Sequence, residues 1–249
     1  MQLGERLNRI HLFYCQGLVG AHAEKNRKEK NMKHDFNMPF QIEDLIGSSK
    51  IREVDSCFQY DCLNSNLNYL KNYGQQYYDK MIESFAELKK LTGLERPVIF
   101  SFGSGASLEY IASKSVFGNV IYHPIDECEW AFAKTEEYKK FFGREMKVSN
   151  YDGGLFLLSA AGNFPVICFF NSLHDILETK DVENDLIPIL GTKQQFAIVC
   201  NFTRNRNYHK AMEEKEYIDY LVKTLKVKFN IKQFEILGGE GIIVMCKRK

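Results

Sequence analysis

The sequence lacks the features that mark several large classes of protein. Its 249 residues include only five prolines and one tryptophan, and its apolar runs last only a few residues, far below the roughly 18 that a membrane-spanning helix needs. The seven cysteines never stand in a C-x-x-C pair, which disfavours a zinc ribbon or a disulfide framework. The first ten residues carry Glu5, Arg6 and Arg9 without an apolar core, so no secretory signal is predicted. We therefore expect a cytoplasmic protein without a membrane partner.

The charge balance excludes a strong electrostatic field over the whole chain. Thirty-three Lys and Arg residues face 32 Asp and Glu residues, giving a formal net charge of +1. Such a balance gives no indication of a nucleic-acid partner. Hydrophobic residues make up 45% of the chain and charged residues 26%, the ordinary mixture of a globular protein.

Residues 95–249 show a repeating pattern of short apolar runs and helix-like segments, which predicts a mostly parallel sheet with helices on both faces. The glycine-rich segment Gly238–Gly241 separates the last two runs, so it predicts a hairpin and an antiparallel last strand. A further strand near Met146–Val148 would bring the total to seven. The six clear runs are Val98–Phe102, Val120–Ile125, Val166–Phe170, Phe196–Cys200, Phe234–Leu237 and Ile242–Cys246.

A glycine turn and an acidic residue point to a nucleoside pocket at the carboxyl edge of this sheet. The run Val98–Phe102 leads directly into Gly103-Ser104-Gly105 and then into a helical pattern. Glycines at this place allow a sharp turn and a close approach of a ligand. Asp126 comes 21 residues after Gly105, at the end of the next run. In doubly wound sheets an acid in that position binds ribose hydroxyls.

These motifs resemble those of class I S-adenosylmethionine-dependent methyltransferases, over the stretch from about Arg96 to Lys249. Phe102–Gly105 resembles the first motif of that family, Tyr122–Asp126 the second, Asn150–Gly153 the third and Val166–His174 the fourth strand with its active-site turn. The resemblance implies a Rossmann-like fold, S-adenosyl-L-methionine as cofactor and no metal. The cofactor-binding residues that it implies are Phe102, Gly103, Ser104, Gly105, Asp126, Glu127, Asp152, Gly153 and Asn171.

The sequence departs from the family pattern at two positions. Ser101 stands where the family often has an acid, and Ser107 stands where it often has a third glycine. These departures leave open a catalytically inactive, methyltransferase-like module that binds a nucleoside or a protein. An NAD(P)-dependent oxidoreductase is the remaining alternative, and Leu108 disfavours it because the dinucleotide fingerprint ends on Gly or Ala there.

Candidate residues for the methyl acceptor follow the fourth and fifth strands. His174 is the candidate general base, because a neutral imidazole accepts a proton near neutral pH. Asn171 would lie near both cofactor and acceptor, although Asn171 and Asp175 could simply cap the next helix while His174 packs. Arg204 and Tyr208 could hold a carboxylate or phosphate of the acceptor, or could belong to a solvated loop. A small-molecule acceptor is the favoured partner.

For residues 1–94 the sequence pattern predicts a mostly helical N-terminal extension. Apolar residues recur at steps of three and four from Leu67 to Leu91, which predicts a long amphipathic helix ended by Gly93. We expect part of residues 1–65 to cover the cofactor site as a lid. The alternatives are packing on the flank of the sheet and a dimer contact, so a homodimer stays open.

Overall fold

The computed structural model describes residues 76–105, 107–126, 147–162, 164–170, 172–173, 176–177, 180–201 and 214–249. The chain divides into two compact units, Met1–Gln75 and Gln76–Lys249. All of the described residues therefore belong to the second unit, and the account below concerns that unit alone.

This unit alternates strands and helices. Helix α1 spans residues 76–92 and ends before Gly93, as predicted for this part of the long helix. The following elements are β1 (Val98–Phe102), α2 (Leu108–Phe117), β2 (Ile121–Ile125), α3 (Tyr151–Ala160), β3 (Pro165–Phe170), α4 (Leu186–Leu190), β4 (Gln195–Asn201), α5 (Glu214–Leu225), β5 (Phe229–Ile236) and β6 (Gly241–Arg248). None of the described helices is both long and apolar enough to cross a membrane.

The strands form one mixed sheet in the order β2-β1-β3-β4-β6-β5. The first four strands in this order are parallel, and β6 runs antiparallel to both β4 and β5. A short 3-10 turn, Leu237–Gly239, joins β5 to β6, with Gly238 and Gly239 at positive φ. The predicted Rossmann-like α/β fold with an antiparallel last strand is confirmed.

The predicted strand count of seven is wrong for the described part of the chain, which contains six strands. The described part of the predicted strand near Met146–Val148 is not in strand conformation, and the chain there makes only an isolated parallel bridge between Ile125 and Ser149. Asn150 already caps α3, so the chain turns into a helix immediately after the bridge. Between this bridge and α3, the described chain therefore adds no further strand beside β2.

The core lies on both faces of the sheet. Phe102 and Phe169 stack with ring centroids 5.5 Å apart, in an apolar cluster that also contains residues of α3, α4 and α5. Phe170 points to the opposite face, because neighbouring residues of a strand alternate. There it meets Phe85 of α1, whose ring also contacts Phe117 of α2. Helices therefore cover both faces, as the alternating pattern predicts.

A glycine brings α3 close to the end of β2. A Cβ atom built on Gly154 would lie 2.6 Å from Cδ1 of Ile125 and 2.7 Å from its Cγ1. Both residues are buried, so Ile125 has little room to move away. The absence of a side chain at position 154 therefore fixes how near α3 lies to the strand that carries Asp126.

We predict that Gly154→Ala destabilises the protein by about 1–2 kcal/mol, because overpacking a core exceeds the gain in helix propensity. Denaturant unfolding measures the change. Gly162→Ala is the matched control, since a Cβ atom there would have no neighbour within 4 Å. Equal effects of the two substitutions would contradict the close packing of α3 on Ile125.

Candidate functional site

The order of the strands creates a crevice at the carboxyl ends of β1 and β3. The chain passes from β1 to β2 on one side of β1, and then returns to place β3 on its other side. Open α/β sheets bind ligands outside the strand ends at such a switch point. Gly103 directly follows β1 and Ser172 lies two residues after β3, so both residues lie at this crevice.

The turn after β1 is fixed by hydrogen bonds to the end of β2. Gly103 N and Ser104 N both donate to Ile125 O, at 2.8 and 3.1 Å. Gly103 has φ of 68° and Gly105 has φ of 47°, a region that glycine adopts without steric cost. The turn therefore has the shape that the sequence predicted from its glycines.

Gly103 also lies against the chain that leaves β3. A Cβ atom on Gly103 would come 2.5 Å from Cβ of Ser172, and Ser172 Oγ donates to Phe102 O. Ser172 was not among the predicted site residues. Its position after an apolar strand was the available signal, because short polar side chains at strand ends often bond neighbouring backbone groups.

Asp126 meets the glycine turn directly. Gly105 N donates to Asp126 Oδ2 at 2.9 Å, and Asp126 N donates to Ser149 O at 2.9 Å. Residues from the first and second predicted motifs are therefore in contact. A carboxylate offers about four acceptor positions, so a bond to the turn is compatible with additional bonds to ligand hydroxyls.

The third predicted motif lies beside the second, at the start of α3. Asn150 caps this helix by accepting a hydrogen bond from Gly153 N at 2.8 Å. A Cβ atom on Gly153 would lie 2.9 Å from Asn150 Oδ1, so Gly153 serves the cap. Asp152 is exposed in the first turn of the helix.

Two other residues that were predicted to bind the cofactor, Phe102 and Ser104, are both buried at the turn. Phe102 is fully buried and packs against Phe169 and Tyr151, so its side chain belongs to the core and its backbone belongs to the turn. Ser104 is 3% exposed, and its hydroxyl has no hydrogen-bond partner among the described residues. The predicted residues Glu127, Asn171, His174, Arg204 and Tyr208 lie outside the described part of the chain.

Ser107 has a left-handed backbone conformation that glycine adopts more readily than serine. Its φ is 56° and its ψ is 37°, in the left-handed region, which costs a residue with a Cβ roughly 1–2 kcal/mol. The Ser107 side chain makes no capping bond to α2. Its buried hydroxyl has no partner in the part of the chain that the structure describes. The departure from the family pattern thus preserves the shape of the turn at an energetic cost.

A buried acid that the sequence analysis missed lies under the same turn. Glu109, in the first turn of α2, is 3% exposed. Its pKa is raised to about 8, mainly by burial and to a smaller extent by the nearby Asp126 carboxylate, whereas hydrogen bonds from its own backbone N–H, Ser101 and Tyr122 act in the opposite direction. No local pattern signals this burial, because charged residues in the first turn of a helix are usually exposed and favourable there.

Comparison with known proteins finds similarity only among solved structures. No protein-family model and no curated protein matches the chain. An O-methyltransferase family protein from Burkholderia thailandensis is 11% identical with a TM-score of 0.49, over 96% of this chain and 70% of that chain. The pyocyanin biosynthetic protein PhzM is 12% identical with a TM-score of 0.48, over 81% of this chain and 61% of that one. The 16S rRNA methylase ArmA is 16% identical with a TM-score of 0.45, over 85% of this chain and 100% of that one.

The strand order and the site together define the class of fold. The sheet is mostly parallel with an antiparallel strand inserted beside its end, and the glycine turn and the acid meet at the switch point. This is the Rossmann-like architecture of class I methyltransferases that the sequence motifs implied. The resemblance is therefore confirmed at the level of the fold.

We predict that Ser107→Gly stabilises the protein by about 1 kcal/mol, because it relieves the left-handed strain and removes a buried hydroxyl without a partner. Denaturant unfolding is the measurement. Ser107→Ala is the matched variant: it removes the hydroxyl and keeps the strain, so its gain should be smaller. A loss of stability in Ser107→Gly would show that the hydroxyl makes a bond that the folded protein needs.

Proposed function

We propose that the protein is an S-adenosyl-L-methionine-dependent methyltransferase whose acceptor is a small molecule. One observation carries this proposal: the glycine turn after β1 and the Asp126 carboxylate after β2 are joined by a hydrogen bond at the switch point of the sheet. A backbone turn without side chains beside a carboxylate suits the ribose and the flexible tail of a nucleoside.

The residues present fit this cofactor. Gly103 and Gly105 give the turn its tight, left-handed backbone shape, and Asp126 beside it is proposed to accept hydrogen bonds from ribose hydroxyls. Asp152 at the start of α3, together with Glu127, is proposed to face the adenine. The buried Ser104 hydroxyl, which lacks a described partner, supplies a further polar group at the turn.

When bound, the cofactor supplies a methyl group on a positively charged sulfur. An acceptor that took this methyl group would have to give up a proton. We propose that His174 takes this proton and that Asn171 orients the reacting groups after β3. Arg204 and Tyr208, after β4, are proposed to bind the acceptor. Positioning supplies most of the acceleration in such a displacement.

Three observations bear on the alternatives. The serines at positions 101 and 107, where the methyltransferase pattern often has an acid and a glycine, keep open a module that binds without catalysis. The antiparallel β6 between β4 and β5 disfavours a dinucleotide-dependent oxidoreductase, because the usual dinucleotide-binding strand order has no strand inserted before the last one. The net charge of +1 supports a small acceptor over a nucleic acid, which usually selects a basic surface.

We predict that wild type binds S-adenosylmethionine and S-adenosylhomocysteine, and that Asp126→Ala weakens both affinities roughly thirtyfold to a thousandfold, or about 2–4 kcal/mol. Isothermal calorimetry measures the change. Asp126→Asn should lose less, because its amide oxygen can still accept the Gly105 N–H. Glu95→Gln, at an exposed side chain, is the control. An absence of binding by wild type would end the methyltransferase proposal.

Transfer of labelled methyl groups separates an enzyme from a binding module. Incubation of wild type with labelled cofactor and a cell extract should label the low-mass fraction if the acceptor is a small molecule. Tight cofactor binding without transfer to any fraction would favour the module. Labelling confined to RNA or protein would replace the proposed acceptor class.

We also propose that residues 1–94 form an extension to the methyltransferase-like domain at residues 95–249, and that part of residues 1–65 acts as a lid for the acceptor. A bare strand edge is open to water, and methyl transfer requires a shaped, dry pocket. The aromatic residues of this segment, Phe13, Tyr14, Phe36, Phe40, Phe58 and Tyr60, could supply its walls.

We predict that deletion of residues 1–40 abolishes methyl transfer while cofactor affinity stays within about tenfold, equivalent to about 1.4 kcal/mol. Calorimetry and the labelled-transfer assay measure the two quantities on the same preparation. A truncated protein that transfers at the wild-type rate would refute the lid. A change from dimer to monomer on truncation would favour the dimer contact instead.

A further inference from the structure

The buried carboxyl of Glu109 lies beneath the glycine turn, and the proposed transfer does not use it. Glu109 projects from α2 onto the sheet, where Tyr122 Oη of β2 lies 3.4 Å from Glu109 Oε2. Ser101 of β1 lies beside the same carboxyl, and Cys168 of β3 lies within its electrostatic reach. Three neighbouring strands therefore meet this one acid.

The ionisable groups that act on Glu109 among the described residues are acids. Tyr122, Cys168 and the Asp126 carboxylate surround it, and each of them is neutral or negative when it titrates. No ion pair involves Glu109 among the described residues. Its carboxyl therefore lacks a positive counter-charge in this part of the chain.

The lysines of the two helices on this face are engaged elsewhere. On α1, Lys80 pairs with Glu240, Lys89 donates to Val116 O, and Lys90 pairs with Glu87. On α2, Lys114 lies over the ring of Tyr110. The lysines of α1 and α2 thus have described partners other than Glu109.

The buried hydroxyl of Ser101, next to Glu109, is also incompletely paired among the described residues. Ser101 is fully buried, and its Oγ makes no hydrogen bond of normal geometry with any described residue, although it faces the Glu109 carboxyl. Buried polar groups are normally satisfied. Such a site can therefore respond to a ligand that changes the local charge.

Asp126 links Glu109 to the cofactor site. Its carboxylate accepts the Gly105 N–H at 2.9 Å and also acts electrostatically on Glu109. In a buried, low-dielectric region, charges a few ångströms apart interact more strongly than in water. A positive charge that arrives at the turn will therefore favour the ionised form of Glu109.

We propose that Glu109 is a specificity-determining residue that lets the glycine turn distinguish a cationic cofactor from its uncharged-sulfur product. This inference rests on the proposed function. S-adenosylmethionine carries a sulfonium, whereas S-adenosylhomocysteine carries a neutral thioether and so has one positive charge less. The Glu109 carboxylate stabilises bound S-adenosylmethionine more than bound S-adenosylhomocysteine. Once the methyl group has been transferred, the turn therefore binds the product less tightly than it bound the cofactor.

The preference for S-adenosylmethionine over S-adenosylhomocysteine should increase as pH rises. At low pH Glu109 is protonated and neutral, and it favours neither ligand. As pH rises through the raised pKa of about 8, the carboxyl ionises and the preference for the cation grows. If the sulfonium weakens proton binding to Glu109 tenfold, the affinity ratio rises about sixfold between pH 6.5 and pH 8.5.

Calorimetry with both ligands at these two pH values tests the proposal. In wild type, the affinity for S-adenosylmethionine relative to S-adenosylhomocysteine should rise about sixfold with pH. Both ligands carry the same amino-acid group. The titration of that group therefore changes both affinities equally and cancels in their ratio. Glu109→Gln should give a ratio that does not change with pH. Glu83→Gln, at an exposed acid of α1, should behave as wild type.

Proton release gives a second measurement that needs no variant. Binding of S-adenosylmethionine to wild type near pH 7.5, in buffers of different ionisation enthalpy, should release about half a proton more than binding of S-adenosylhomocysteine. Two results would overturn this inference without affecting the proposed function. One is equal proton release on binding of the two ligands, and the other is a Glu109→Gln variant whose affinity ratio changes with pH as in wild type. Binding of neither ligand by wild type would overturn the proposed function and this inference with it.

Discussion

One carbonyl group holds the candidate site together. Ile125 O, the last carbonyl of β2, accepts from both Gly103 N and Ser104 N. The turn after β1 is thereby tied to the strand whose next residue is Asp126. The bond from Gly105 N to the Asp126 carboxylate then closes a small ring of contacts across the two strand ends. Because these bonds are made by the backbone and one side chain, the turn is formed before any ligand arrives.

The same strand end also positions α3. Asp126 N donates to Ser149 O, and Ser149 N donates to Pro124 O, which places the Asn150 cap beside the acid. Gly154 then allows the helix to pack on the Ile125 side chain. The end of β2 therefore positions the first turn of α3 as well as the glycine turn. A substitution at Ile125 would alter both.

The sequence predicted the parts of the fold that depend on local pattern. The apolar runs located the six strands, and the glycines between the last two runs indicated the antiparallel β6. Gly105 and Asp126 were predicted to lie at one edge, and a hydrogen bond joins them. The burial of Glu109 and the contact of Ser172 with Gly103 were not predicted, because both depend on which helices and strands pack against each other in the fold. The extra strand predicted near Met146–Val148 is not found in the described part of that segment, where the only pairing with β2 is an isolated bridge at Ser149, directly before Asn150 caps a helix.

The insertion of β6 between β4 and β5 has a consequence for how the sheet is assembled. β4 has every residue after Gln195 buried, yet its neighbour on one side comes from a hairpin that follows α5. Until that hairpin has formed and docked, β4 presents an apolar edge with unpaired backbone groups, the kind of surface on which chains associate wrongly. The β5–β6 hairpin is local in sequence and can form by itself quickly. The rate at which it docks therefore sets how long the growing sheet is vulnerable to aggregation.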